Sequence, residues 1–292
     1  MRFQFMKEHN KEFHVEKMAK VLKVSRAGYY KFLRKSLSKR ELANKELIKK
    51  IRETYEESRG TYGSPRIYEA LKKRGGTSSR KRIARLMRQE RIQPKMRKHW
   101  KRTTKSNPKA EAAPNHLNQN FWVGAPNMVW VSDITYIATQ EGWLYVAVVL
   151  DLYSRKIVGL AMGESLETKL IIQALEQALC HREIKSDLMH HSDRGCQYTS
   201  KEFKKLTQKH GIKLSMSDKG HCYDNAVAES FFHSLKTEHT SHCNFKTNQE
   251  AELSIFEYIE VFYNRSRLHS YLGYYSPESF EKLKSIEVEK VG

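Results

Sequence analysis

Cysteine is scarce in this chain: Cys180, Cys196, Cys222 and Cys243 are the only four, and none belongs to a Cys-x-x-Cys pair. Such spacing argues against a disulfide framework or a zinc knuckle and fits reduced thiols. Long apolar runs are missing as well. No stretch approaches the ~18 residues that a membrane span needs, and no signal peptide opens the chain, so the expectation is a cytoplasmic protein without a membrane partner. Internal repeats are absent. Acids are scarce at one end only: residues 1–110 hold 34 Lys/Arg against 10 Asp/Glu, whereas residues 111–292 hold 19 against 23. A basic third joined to a near-neutral remainder is the pattern of a polyanion-binding module attached to something else. Nucleic acid is the favoured polyanion, because the positive charge is spread over helical pattern.

Proline is also thin, six in 292 residues, and four of the six (Pro94, Pro108, Pro114, Pro126) punctuate one Lys-, Asn- and Thr-rich stretch. Residues 93–126 are therefore expected to be an extended basic linker lying along a phosphate backbone. Before it, residues 1–40 carry Met18, Val21 and Leu22 at helical spacing, then "KVSRAGYY", in which Ser25 can cap a second helix. That is the outline of a helix-turn-helix, whose second helix can enter a major groove; an ordinary helical hairpin is the competing reading. Arg26 and Tyr29 are its candidate DNA contacts. Residues 41–92 read as a second helical DNA-binding domain. Its helices run over 42–58, from Ser64-Pro65 to a Gly75-Gly76 stop, and from 80 to about 92, where Ile83, Leu86 and Met87 share a face. Arg66, Arg80, Arg82 and Arg85 are the candidate contacts there.

From Asn127 to residue 285 the pattern changes. Residues 128–138, 143–154 and 155–163 are apolar, β-branched runs, the first two joined by "TQEG", a hairpin connection. Helices are expected at 168–181, 200–210, 224–238 and 248–265, with short strands near 186–193 and at 212–216. Three consecutive strands followed by alternating helices and strands predict an α/β fold: a mixed sheet with helices on both faces, preceded by the all-α region.

Three acids fit poorly with their neighbours. Asp133 sits inside the apolar "WVSDITYI", and burying a lone carboxylate is costly unless it is paired or metal-bound. Asp193 lies in "HHSDRGCQYTS", where the chain leaves a short strand, the place at which open α/β sheets bind ligands; a turn aspartate is the plainer reading. Glu229 lies on the polar face of "DNAVAESFFHSLKTE", a helix with Val227, Phe231 and Leu235 on its apolar side and Asp224 as a plausible N-cap. Lys236 shares the face of Glu229 two turns on, and Asn225 lies nearby. A solvated face is the plain reading of that helix. Taken together, three oxygen donors from three segments suit Mg²⁺ or Mn²⁺ better than zinc. Two such ions can activate a hydroxyl and stabilise the leaving oxygen at a phosphodiester. Lys236 would then hold DNA, with Asn225 as a supporting or DNA contact. His190 and His191, just before Asp193, could steer it or simply bond to structure.

These segments resemble the catalytic triad of the DDE transposases and retroviral-type integrases, with 35 residues between Asp193 and Glu229. "YNRSRLHSYLGYYSPESF" (263–280) looks like the end of the integrase core in bacterial insertion-sequence transposases of the IS-three group, and "YGSPRIYEALKKRG" resembles their helix-turn-helix region. The resemblance implies a ribonuclease-H-like core with a five-stranded mixed sheet, and Asp133, Asp193 and Glu229 as catalytic residues and ligands of two Mg²⁺. It implies cleavage at transposon ends followed by 3′-hydroxyl strand transfer during transposition. The expected partners are double-stranded DNA (terminal inverted repeats and target), further copies of the chain in a synaptic complex, and a protein from an upstream reading frame. The expected place is the bacterial cytoplasm, at the nucleoid. Two alternatives remain at this point: a ribonuclease-H-like nuclease or resolvase acting by hydrolysis only, and a catalytically inactive DNA-binding protein.

Overall fold

In the computed structural model, residues 1–34, 38–96, 112–184, 187–218 and 224–289 are described. The first helices are α1 (Arg2–Glu8), α2 (Val15–Val21) and α3 (Arg26–Leu33). The Ser25 side chain accepts a hydrogen bond from the Gly28 N–H, the expected cap of α3. These three helices close around Met6, Met18, Ala19 and Tyr29. Val21, expected on the apolar face, is exposed instead, because α2 ends there and turns its last residue outward.

Next come α4 (Lys39–Glu57), α5 (Ser64–Lys73) and α6 (Arg80–Gln89). Ser38 and Glu41 form a reciprocal capping box at the start of α4. Gly75 takes a φ of +82°, and the Gly76 N–H returns to the Leu71 carbonyl to end α5. Ile51, Ile67 and Ile83 have no exposed surface, and their cluster is continuous with the core of the following domain. The second helical unit is therefore packed onto the remainder of the chain. Tyr62 accepts from the Leu268 N–H at 2.7 Å and donates to the Ser266 carbonyl at 3.3 Å.

The expected linker is only partly described, residues 97–111 lying outside the described segments. Residues 112–126 are not the free, phosphate-tracking strand that was expected. Leu117 is buried, Phe121 and Val123 pack on the core, and the backbone N–H groups of His116 and Leu117 donate to Ser215 Oγ. Apolar side chains spaced through a polar stretch make this segment a strap across the core.

The sheet has β1 (Val129–Ala138), β2 (Trp143–Asp151), β3 (Ile157–Gly163), β4 (Met189–Ser192) and β5 (Lys213–Met216), in the order β3-β2-β1-β4-β5. The first three pair antiparallel; β4 lies parallel to β1, and β5 parallel to β4. The two parallel joins require crossovers, supplied by α7 (Thr168–His181) and α8 (Lys201–Lys209). Alternation along the strands sends Trp130, Val149 and Val158 towards α7 and α8. It sends Val131, Val148 and Leu150 towards α9 (Ala226–Glu238) and α10 (Asn248–Glu257). α10 runs into a π-helical turn, Tyr258–Tyr263, so the single helix expected over 248–265 is two kinds of helix end to end. The last helix, α11 (Pro277–Glu289), is tied down by Glu281, which accepts from Arg182 and from Ser154. Helices thus cover both faces of a mixed five-stranded sheet, the ribonuclease-H-like arrangement. Among the described residues no helix is long and apolar enough to cross a membrane.

Candidate active site

Val131 on β1 faces His191 on the parallel strand β4. Two residues further along each segment, Asp133 and Asp193 emerge at the same level, on the side covered by α9. Neighbouring strands lie ~4.8 Å apart, so two carboxylates in this register repel each other. Burial, then the charge of Asp193, pushes the Asp133 carboxyl up to about 8; Glu229 adds to the rise, while the Ile134 N–H and Lys236 oppose it. Asp193 is also raised, by burial, against a hydrogen bond from the Gly195 N–H. Each aspartate thus has one oxygen fixed by a backbone N–H, Oδ1 of Asp133 at 2.8 Å and Oδ1 of Asp193 at 2.9 Å.

The start of α9 is pinned to β1 by Asn225, whose side-chain N–H donates to the Ser132 carbonyl at 3.1 Å. One turn on, Glu229 stands exposed. Its charge reaches Asp133, but the three acids do not close on one point: among the described residues, no three carboxylates, imidazoles or thiols are gathered as a metal-holding group. The structure thus brings Asp133 and Asp193 together, while Glu229 stands off and the expected convergence of all three is not seen. The donor set fits a hard divalent cation, since it is all oxygen and carries repulsion that such an ion relieves. Lys236 lies with Nζ 5.0 Å from the Tyr136 ring centre, and its charge is felt at Asp133. It belongs to the same electrostatic site, not to a detached solvated face.

His190 and His191 have a structural place. Burial lowers His190 to about 3 and His191 to about 4, so both are neutral at ordinary pH. His190 Nε2 lies 2.7 Å from Ser132 Oγ, and His191 Nδ1 lies 2.9 Å from Ser215 Oγ. They stitch β4 to β1 and β5 directly beneath the aspartates.

Several candidate contacts land elsewhere. Tyr29 is 1% exposed, its hydroxyl donating to the Met6 carbonyl, so it is a core residue and cannot touch DNA. Asn225 is buried behind the acids, which leaves a supporting role and removes a direct DNA contact. Asp224, expected to cap α9, is buried and accepts from Asn115, Gln119 and the Asp218 N–H, clasping the strap instead. Arg82 is committed to Asn44 Oδ1 through Nε and Nη2, and Arg66 lies against Glu238 at 3.4 Å. Arg26, Arg80 and Arg85 are exposed on α3 and α6.

Glu238, Arg267 and Arg155 carry no mark in the sequence as site residues. Glu238 accepts from Arg267 through both oxygens, at 2.6 and 2.7 Å, and from the Tyr258 hydroxyl at 2.8 Å. Burial raises the Glu238 carboxyl, but Arg267 and Arg66 outweigh it and hold it below the ordinary value. The sequence signal was a glutamate on the otherwise apolar underside of α9, three residues after Leu235.

Residues 124–222 and 229–284 match families described as integrase core domain, and residues 41–100 match an HTH-like domain. The chain is 44% identical over 265 residues to the insertion element IS600 uncharacterized 31 kDa protein of Shigella sonnei, covering 91% of this chain and 97% of that one. It is 36% identical over 283 residues to transposase InsF for insertion sequence IS3A of Escherichia coli (strain K12), covering 96% and 98%. Among solved structures, the HTLV-2 integrase catalytic core domain in complex with magnesium (trimeric form) aligns at 16% identity and a TM-score of 0.42, covering 53% of this chain and 97% of that one. The catalytic core domain of BIV integrase aligns at 17% identity and the same TM-score, covering 56% and 99%.

Proposed function

Because the chain belongs to the IS3-group DDE transposases and is a polynucleotidyl transferase, we propose that Asp133, Asp193 and Glu229 carry its chemistry. The reading is that they direct cleavage at the terminal inverted repeats of an insertion sequence, and the attack of the freed 3′-hydroxyl on target DNA. The observation that carries it is the placing of Asp133 and Asp193 side by side at the adjoining ends of the parallel strands β1 and β4, where burial and the charge of Asp193 push the Asp133 carboxyl up. A stable fold has no use for two adjacent half-buried acids, and perturbed groups of this kind mark functional sites.

Asp133 and Asp193 would hold divalent metal, two Mg²⁺ or Mn²⁺ in this reading, through the oxygens that the Ile134 and Gly195 N–H groups leave free, and Glu229 would complete the set. When bound, such ions lower the pKa of an attacking hydroxyl and stabilise the leaving oxygen. The chain's own part is placement. Asn225 and the two neutral histidines hold the acids in register, and Lys236 binds a DNA phosphate beside them. Arg26, Arg80 and Arg85, exposed on basic helices, would contact DNA outside the reacting position. The half-buried Arg66–Glu238 and Arg82–Asn44 pairs position helices. Assembly as a multimer on paired ends, and an upstream-frame partner, belong to the same proposal. So does a cytoplasmic, nucleoid-bound place in the bacterial cell, where such DNA lies.

The test is a cleavage and strand-transfer assay on duplexes carrying the element's ends. Asp133→Asn, Asp193→Asn and Glu229→Gln should each abolish both steps while end binding survives, each loss approaching that of the triple variant. Lys236→Ala should lower both steps together, and Lys236→Arg should restore part of the activity. Wild-type rates in any of the acid variants would remove that residue from the reading.

A further inference from the structure

A cavity of about 300 Å³ opens between α5, α9 and the segment after the π-helical turn, lined by Arg66, Arg155, Arg267, Ser230, Ser234 and His269 among others. We propose that this cavity binds a phosphodiester group of a DNA strand, at a point separate from the scissile one.

Charge is the first support. Three guanidiniums face the cavity, and among the described residues no acid lines it. Glu238, which pairs with two of the three arginines, is shared between Arg267 and Arg66. Asp151, which acts on Arg155 from behind, is shared with Arg182. His269 brings no charge of its own, since burial and the three arginines hold it well below its ordinary value. The wall is net positive.

The second support is an unsatisfied donor. Arg155 is only 7% exposed, and its Nη1 is buried without a hydrogen-bond partner among the described residues. Nη2 donates to the Phe121 carbonyl at 3.2 Å, and the guanidinium lies 4.1 Å over the Tyr271 ring, so the head is held in one orientation. Burying that guanidinium costs free energy that the charge of an anion in the cavity offsets. The planar fork suits phosphate oxygens, and the Ser230 and Ser234 hydroxyls can add neutral donors. A volume roughly ten times a water's share of ~30 Å³ leaves room for the group and its remaining hydration.

Position points to a strand and away from a free ion. α9 carries Glu229 on one side and Ser230 and Ser234 on another, about 100° round the axis per residue. Nucleic acid bound at the acids therefore has a second phosphate-holding point on the same helix. A small metabolite would have no reason to share that helix. The inference rests on the reading that the chain works on DNA.

The experiment uses the full chain, in EDTA so that no cleavage occurs, with a fluorescent duplex carrying an element end and KCl varied from low to moderate. Arg155→Met keeps the stem and removes the charge. Ser230→Asp, at an exposed rim position, places a carboxylate in the cavity without touching buried packing. Both should weaken duplex binding several-fold and flatten the salt slope by about 0.9, the share of a single neutralised phosphate. Arg155→Lys should keep the slope. In parallel, inorganic phosphate should raise the melting temperature of the wild-type chain, and should do so less for Ser230→Asp. Duplex binding with an unchanged slope in both Arg155→Met and Ser230→Asp overturns the cavity proposal, even if inorganic phosphate still binds. Failure of the wild-type chain to bind any duplex overturns the DNA reading beneath it, which keeps the two failures distinct.

Discussion

Replacing Asp133 by asparagine should make this protein more stable while destroying its chemistry. The folded carboxyl titrates at about 8, against ~3.9 in an unfolded chain. Between those values the folded state holds a proton that the unfolded state has released. Stability is therefore highest below pH 4 as far as this group is concerned, and falls as pH rises towards 8. At ~1.4 kcal/mol for each step of one in pKa, the ceiling at pH 8 is roughly 5 kcal/mol, and at pH 5 about 1.5 kcal/mol. Asp133 is half-buried, so screening discounts both ceilings and the pH 8 figure stays the larger. For a chain of this size ~2–4 °C accompanies each kcal/mol. Asp133→Asn should then melt a few degrees above wild type at pH 8 in EDTA, and by less at pH 5. Adding Mg²⁺ should narrow or reverse the gap at pH 8, because a ligand at ten times its dissociation constant stabilises by about 1.4 kcal/mol and the variant has lost a donor. Paired scanning calorimetry over pH 5–8 measures all of this. A gap that does not vary with pH, or Mg²⁺ acting equally on both proteins, would refute the argument that burial and the neighbouring acids hold Asp133 protonated.

Two further expectations concern the frame around the site. Glu238→Gln leaves Arg267, only 4% exposed, without its counter-charge, and should cost about 3–5 kcal/mol. Because the Glu238 carboxyl is held below its ordinary value, its contribution is present above pH ~4.3 and fades as pH falls further; urea denaturation at pH 7 and pH 3.5 checks both points, and a loss under 1 kcal/mol at pH 7 would contradict them. Gly159→Ala should cost about 3 kcal/mol or more, since an added Cβ would fall 2.1 Å from the Ala174 carbonyl oxygen, backbone against backbone where α7 crosses β3. A wild-type melting temperature for that variant would mean that α7 can move away without penalty.

Much of this protein is determined locally and could be read along the chain. The bounds of α7, the hairpin of β1 and β2, and the cap at Ser25 follow from periodicity and side chains acting within one turn. Asp133 stood out because a charge inside a strand of Val, Trp and Ile is anomalous whatever the fold. The tertiary structure decided which polar residues face one another. Tyr29 and Asn225 read as surface candidates, but neighbouring helices and strands bury both. Residues 112–126 read as a linker, because three apolar side chains in a polar stretch show no purpose until the core surface that receives them exists. Glu238, Arg66 and Arg267 come from α9, α5 and the segment after the π-helical turn, Arg66 and Glu238 standing 172 positions apart in the chain. No local signal marks such a cluster, since burial is what turns three ordinary surface-type charges into a fixed network. The standing-off of Glu229 has the same origin: a helix's phase is written in its sequence, but its distance from a strand is set by everything packed between them.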